Sequence, residues 1–308
     1  MSIIDYSALG SFFKYGYLGV DLFFMISGFV ILLTALNKDF KGFLVSRIIR
    51  LYPAFWAAVT ITTITSFFLG GDKFNVDIVT YLANLPMILG YFGVKPIDGV
   101  YWTLLIEIQF YALVSIVVYY KMENKAVSFL FLWTLFSIVY PYINLPILLK
   151  KIFILKWSSY FISGAIFYLI RQGGITIFRL LILVGAYYLS IRHAYWGIPY
   201  LERDYHTDFS VIVILSIVTS FYIIFFMFSM GWLKMLNRQS MLFWGALTYP
   251  LYLIHENIGF MLLNTFADVV NKYFLLAIVV FGVMVLSFIV HQYIEKNVSK
   301  YLRKALLG

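Results

Sequence analysis

The sequence predicts an all-α, polytopic integral membrane bundle of about nine transmembrane helices. Three observations predict it: 63% of the 308 residues are hydrophobic, only 12% are charged, and apolar runs of spanning length recur with short polar loops between them. A soluble domain carries about a quarter charged residues. A chain this poor in charge, with a mean hydropathy of +0.91, has lipid as its main solvent.

A spanning helix needs about 20 mostly apolar residues. Such runs are centred near Phe24, Val59, Tyr111, Thr134, Gly164, Val184, Ile217, Leu253 and Val280. Those near Gly164 and Val184 are short, and residues 81–93 form an apolar stretch too short to cross, expected to be re-entrant or interfacial. No long linker, internal repeat or low-complexity tract interrupts the chain, so residues 1–308 are expected to form one membrane domain. Residues 1–17 lack a basic start, apolar core and small-residue cleavage site, so the spans themselves are expected to direct insertion.

The net charge of +9 does not point to nucleic acid, because the basic residues cluster between apolar runs, where they orient spans and meet anionic headgroups. With the first span starting outside, the cytosolic loops receive Lys38, Lys41, Arg47, Arg50, Lys121, Lys125, Arg171, Arg179, Lys234, Arg238, Lys296, Lys300, Arg303 and Lys304. The positive-inside rule favours this orientation. Lys150, Lys151 and Lys156 run against it. The chain has no cysteine, which removes disulfides, thiolate metal sites and a sulfur nucleophile.

Ionisable side chains inside apolar runs are informative, because one at the bilayer centre costs roughly 2.5–3.5 kcal/mol on insertion scales. Glu107 follows Tyr101 by six residues, which is about 9 Å along a helix, and so falls in the outer half of its span. Asp21 lies about one turn into the first span, at comparable depth. His255 is reached roughly 20 Å from the inner end of a span that begins near Met241, again in the outer half. A histidine there can serve as general base, and the three groups are candidates to converge. For each the plain alternative is a hydrogen-bonded structural residue, or for Asp21 an interfacial one.

Arg47 and Arg50 are spaced i, i+3 and share a helix face at the cytosolic end of the second span. Two guanidinium forks so placed suit a phosphate-bearing ligand, although topology alone also puts arginines there. His291 and Glu295 are one turn apart near the inner end of the last span, where snorkelling or a helix-end contact is expected. There is no Walker A loop, dinucleotide fingerprint, HExxH pair or GxSxG elbow. Asp204, His206 and Asp208 are read as a polar external loop and no metal is expected.

Five segments taken in order resemble the acyltransferase 3 family of integral membrane proteins. They are residues 17–31 (YLGVDLFFMISGFVI), 47–53 (RIIRLYP), 101–111 (YWTLLIEIQFY), 248–255 (TYPLYLIH) and 293–296 (YIEK). Each is weak alone, but together they cover about residues 15–304. The resemblance implies a bundle of about ten helices that passes an acyl group, usually acetyl from cytosolic acetyl-CoA, to a hydroxyl of an envelope glycan or lipid-linked saccharide in a bacterial inner membrane. It implies that Arg47 and Arg50 help hold the donor, acyl-CoA, with no metal and with membrane lipid as surroundings. It leaves His255, Glu107 and Asp21 for the chemistry.

The family pattern opens with a helix bearing a basic residue and, about eleven positions on, a histidine thought to be the base. This sequence shows neither, and residues 1–16 are expected to be the external loop that follows that helix. The competing expectations are a transporter or flippase for lipid-linked sugars, and a noncatalytic membrane partner.

Overall fold

The computed structural model describes residues 6–122, 125–233 and 239–307. The fold is all-helical, 82% helix with no strand among the described residues. Along the chain run α1 (Ser7–Phe13), α2 (Gly19–Ala35), α3 (Phe40–Leu69), α4 (Ile78–Asn84), α5 (Trp102–Tyr119), α6 (Ala126–Val139) and α7 (Ile147–Ile152). There follow α8 (Ser158–Gly173), α9 (Ile177–Tyr205), α10 (Val211–Ser229), α11 (Gln239–Ile254), α12 (Glu256–Phe266), α13 (Lys272–Ile289) and α14 (Lys296–Leu307).

Among the described residues, six helical stretches are long and apolar enough to cross a membrane: Leu9–Ala35, Phe40–Leu69, Gly99–Tyr119, Ile177–Tyr205, Val211–Ser229 and Lys272–Leu307. They contain six of the nine expected centres. The other three fall on shorter elements. The centre at Thr134 lies in α6, of 14 residues. Leu253 lies in α11, which breaks at His255 before α12 resumes the apolar run. Gly164 lies in α8, whose residues from Ser158 to Ile170 are all buried. A helix packed in protein all round is not held to the thickness of the bilayer.

Two sequence expectations are corrected. The run near Val184 is not short, because α9 extends over 29 residues. Residues 7–16 are not a loop: α1 and a 3-10 turn at Lys14–Leu18 lead straight into α2. This stretch has no proline and a single charge, Lys14, so nothing stops the helix of α2 from propagating backwards. Residues 81–93 do not cross: α4 ends at Asn84 and a 3-10 turn covers Ile88–Phe92. Lys234 and Arg238, expected in a cytosolic loop, lie outside the described residues.

The helices fall into two compact units. In the unit of residues 8–43 and 107–235, the principal packing is α2 on α8. Two glycines set it. A Cβ at Gly28 would fall inside the carbonyl of Phe161, and one at Gly164 inside the carbonyl of Met25. Small residues that let backbones meet are the usual means of association where lipid supplies no hydrophobic drive. Around them Phe24 packs on Trp157 and Phe161, and Phe29 on Tyr168. α8 and α9 are parted by Gly174, whose φ of +72° ends α8 in a conformation that a side chain would strain. Thr176 then caps α9 by accepting from the Arg179 N–H at 3.2 Å.

In the unit of residues 1–7, 44–106 and 236–308, proline chemistry fixes a tertiary contact. Pro53 lies inside α3 and has no N–H to give the carbonyl four residues back, that of Ile49. The Ser299 hydroxyl of α14 donates to that carbonyl at 3.2 Å. Tyr249 of α11 likewise donates to the Leu51 carbonyl at 3.0 Å, fully within the core. Between α13 and α14 the helix widens into a π turn at Val290–Glu295. Beyond it, Lys296, Lys300, Arg303 and Lys304 share one face of α14.

Candidate functional site

Each unit holds its own group of chemically capable side chains. In the unit containing α3 and α11–α14, Arg50 donates from Nη1 to Glu295 Oε1 at 2.7 Å, and Glu295 Oε2 accepts from His291 Nδ1 at 2.8 Å. The Glu295 side chain is 8% exposed and that of Arg50 40%. The carboxylate is therefore held inside the protein while the guanidinium reaches outward. The Tyr249 ring lies 5.1 Å from the Arg50 guanidinium carbon, a cation–π contact that fixes the plane of the fork. Arg47, one turn earlier on α3, sits against the Ser46 hydroxyl. His291 and Glu295, expected as a snorkelling or helix-end pair, form a hydrogen-bonded triad with Arg50. The π turn carries both of them, and such turns recur at functional sites.

His255 stands at the break between α11 and α12 and is exposed. Its Nδ1–H donates to the Tyr252 carbonyl at 2.8 Å. That bond leaves Nε2 of the neutral ring as an acceptor, the state a general base requires. The Tyr252 hydroxyl in turn reaches the Val100 carbonyl at 3.1 Å and Thr103 at 2.8 Å. Beside it is Asp98, completely buried, which accepts from the Val100 N–H at 3.1 Å and the Asn257 N–H at 3.0 Å. The Asn257 side chain donates to the Ile97 carbonyl at 2.7 Å, and Asn84 accepts from the Ile97 N–H at 3.2 Å. Burial pushes the Asp98 carboxyl up to about 6 against the pull of those two N–H donors.

In the unit built on α2 and α8, Glu107 is buried and accepts at Oε1 from Tyr111 at 2.7 Å and from Ser27 at 3.3 Å. Ser27 belongs to α2 and Tyr111 to α5, so the carboxylate is braced by its own helix and by a neighbour. Asp21, 7% exposed, faces the hydroxyl of Tyr160 and is within electrostatic reach of Lys156. Asp21 and Ser27 are six residues apart on α2, about 9 Å along the axis, so Asp21 sits about that far along the helix from the Ser27 that meets Glu107.

Sequence reasoning missed His193, which sits 6.2 Å from the Tyr160 ring and 6.3 Å from Trp157. The rule that singles out Glu107, an ionisable group within an apolar run, applies equally to Arg192 and His193 of α9. Among the described residues no three His, Asp or Glu side chains gather as a metal ion would need.

Fold and site together define a multi-pass helical membrane protein with carboxylates buried in its spans and arginines presented at a helix end. The chain belongs to the acyltransferase domain family, whose model matches residues 5–293. It is also similar to a protein of Bacillus subtilis (strain 168) that carries the provisional name peptidoglycan O-acetyltransferase YrhL. The two are 30% identical over 149 residues, 41% of this chain and 23% of the relative. The match thus spans about a quarter of the relative's length. No solved structure matches the chain.

Proposed function

We propose that the chain is a membrane O-acyltransferase of a bacterial inner membrane. As one acyltransferase domain spanning residues 1–308, it carries an acyl group, acetyl in the first instance, from cytosolic acyl-CoA to a hydroxyl of an envelope glycan or lipid-linked saccharide. What supports this reading above all is the family match along residues 5–293. The similarity to a protein named for peptidoglycan O-acetylation favours peptidoglycan as the first acceptor to test.

Within this reading, Arg47 and Arg50 bind donor phosphates, and Glu295 and Tyr249 hold the Arg50 fork in position. Nε2 of His255 is assigned as the base that takes the proton of the acceptor hydroxyl, and Glu107 and Asp21 are assigned as further catalytic carboxylates. The alkoxide oxygen attacks the thioester carbonyl, and polar donors stabilise the tetrahedral oxyanion. The carbon–sulfur bond then breaks, the thiolate leaves and takes up a proton, and the products are the sugar ester and free CoA.

The test uses membranes bearing the full chain, radiolabelled acetyl-CoA and peptidoglycan fragments. Label entering the glycan, and lost in Arg47→Ala, is the expected result. Movement of a lipid-linked sugar across the bilayer with no label transferred would replace the reading with a transporter. Inertness in both assays would leave a noncatalytic partner.

A further inference from the structure

The exposed face of α14 is a row of cations with no acid to balance it. At 3.6 residues per turn, Lys296, Lys300, Arg303 and Lys304 fall within an arc of about 100°, and all four are exposed. Val298 and Leu302 lie opposite and Ser299 on the flank, all three half-buried. The helix carries no acidic residue. Lys296 donates to the Gln292 amide oxygen at 2.6 Å, and among the described residues no carboxylate pairs with Lys300, Arg303 or Lys304. Topology calls for cations at this end of the last span, but it is indifferent to which side of a helix bears them.

The row is fastened beside the arginine pair of α3. The Ser299 hydroxyl meets the carbonyl of Ile49, the residue before Arg50, at 3.2 Å, and Glu295, just before α14, holds Arg50 itself at 2.7 Å. Lys300 follows Ser299 directly, and Arg303 comes four residues later, about 6 Å along the axis. These long side chains therefore start within about one turn of the contact with α3. Glu295 does not neutralise them, since its two oxygens are already divided between Arg50 and His291.

Uncompensated cations on one face suit a dense anion. A phosphate monoester carries about −1.5 to −2 charge at pH 7 and three acceptor oxygens, more than the phosphodiester of a lipid headgroup offers. CoA bears both kinds of phosphate, a bridging pyrophosphate and a 3′-monoester on the ribose. The arginine pair of α3 suffices for the first. The second has no partner until α14 is counted.

We propose that Lys300, Arg303 and Lys304 of α14 receive the 3′-phosphate of the acyl-CoA donor, so that the chain distinguishes CoA from carriers lacking that group. This rests on the acyl-transfer reading for the donor's role, though not for binding itself.

Binding and turnover are measured separately. Calorimetry on the full chain in phosphatidylcholine nanodiscs compares CoA with 3′-dephospho-CoA, which keeps the pyrophosphate. The wild type is expected to bind CoA at least about tenfold more tightly, and the triple variant Lys300→Gln, Arg303→Gln, Lys304→Gln to bind the two alike. In acetyl transfer the variant should raise the KM for acetyl-CoA about tenfold. Its KM for 3′-dephospho-acetyl-CoA and for the acceptor should not change.

Equal affinity of the wild type for the two nucleotides, or a preference that survives in the triple variant, overturns the assignment while leaving acyl transfer standing. A preference that depends on the three residues, with no transfer by the wild type, overturns acyl transfer while leaving the phosphate site. Failure to bind CoA overturns both. Repeating the titration with phosphatidylglycerol in the disc separates the two sources of phosphate. A preference abolished by that lipid would give the row to the membrane surface and overturn the assignment. The three side chains are exposed, so their replacement should not unfold the chain.

Discussion

The carboxylate of Glu295 is shared between Arg50, 245 residues away in sequence, and His291, one turn away. The sharing explains why an arginine at a helix end is held in one orientation instead of sweeping through the interface. We expect Glu295→Ala to lower stability by about 2 kcal/mol, as for loss of charge-assisted hydrogen bonds, read as a lower thermal midpoint in detergent. Arg50→Lys should keep the charge but lose the fork, raising the KM for acetyl-CoA more than it lowers stability. An unchanged donor KM would remove Arg50 from donor binding.

Glu107 offers a cleaner separation of charge from packing. Glu107→Gln keeps the shape and an oxygen for Tyr111 and Ser27, so folding should be preserved. Removing the charge should lower kcat on the order of a hundredfold. Tyr111→Phe should cost less than tenfold. Equal effects of the two variants would make Glu107 a structural carboxylate.

The contact of α2 with α8 tolerates no added volume at Gly164, where even a Cβ meets the Met25 backbone. Gly164→Val is expected to destabilise by about 2 kcal/mol or more. The fall should appear as lost accumulation in membranes and a lower midpoint in detergent. Gly197, whose Cβ would meet nothing within 4 Å, is the control, and Gly197→Ala should be silent.

Asp98 makes a prediction in pH. Its carboxyl is raised to about 6 in the folded chain from 3.8, so between these values the folded state holds a proton that the unfolded state has released. Stability from this group is fully present below about pH 4 and is lost as pH rises through about 6. The amount is on the order of 3 kcal/mol. Asp98→Asn should flatten the pH dependence of the midpoint between pH 4 and 7. A profile identical to that of the parent chain would show that Asp98 does not titrate in this window.

Much of this architecture was legible because lipid enforces simple rules. Apolar runs of the right length found six of the spans, and the cost of an ionisable group in an apolar run found Glu107 and Asp21. The length rule weakened at α8, where protein surrounds the helix, and at His255, where one apolar run becomes two helices. Pairings such as Arg50 with Glu295 or Ser299 with Ile49 could not be read, since no local pattern links residues that far apart. Pro53 hinted at an orphaned carbonyl without naming its donor. His193, within the apolar run of α9, was open to the same rule that found Glu107.

The π turn at Val290–Glu295 makes the end of the chain sensitive to counting. A wide turn accommodates one residue more than α-helical register, and one residue is about 100° of rotation. Deleting Gln292 would take out the residue the wide turn absorbs and leave an ordinary helix, whereas the same deletion within the regular helix of α14 would swing everything beyond it. A residue lost between Lys296 and Ser299 would take the Ser299 hydroxyl from the Ile49 carbonyl and part Lys296 from the ridge of Lys300, Arg303 and Lys304. For this segment a change of length by one is a heavier lesion than most changes of identity.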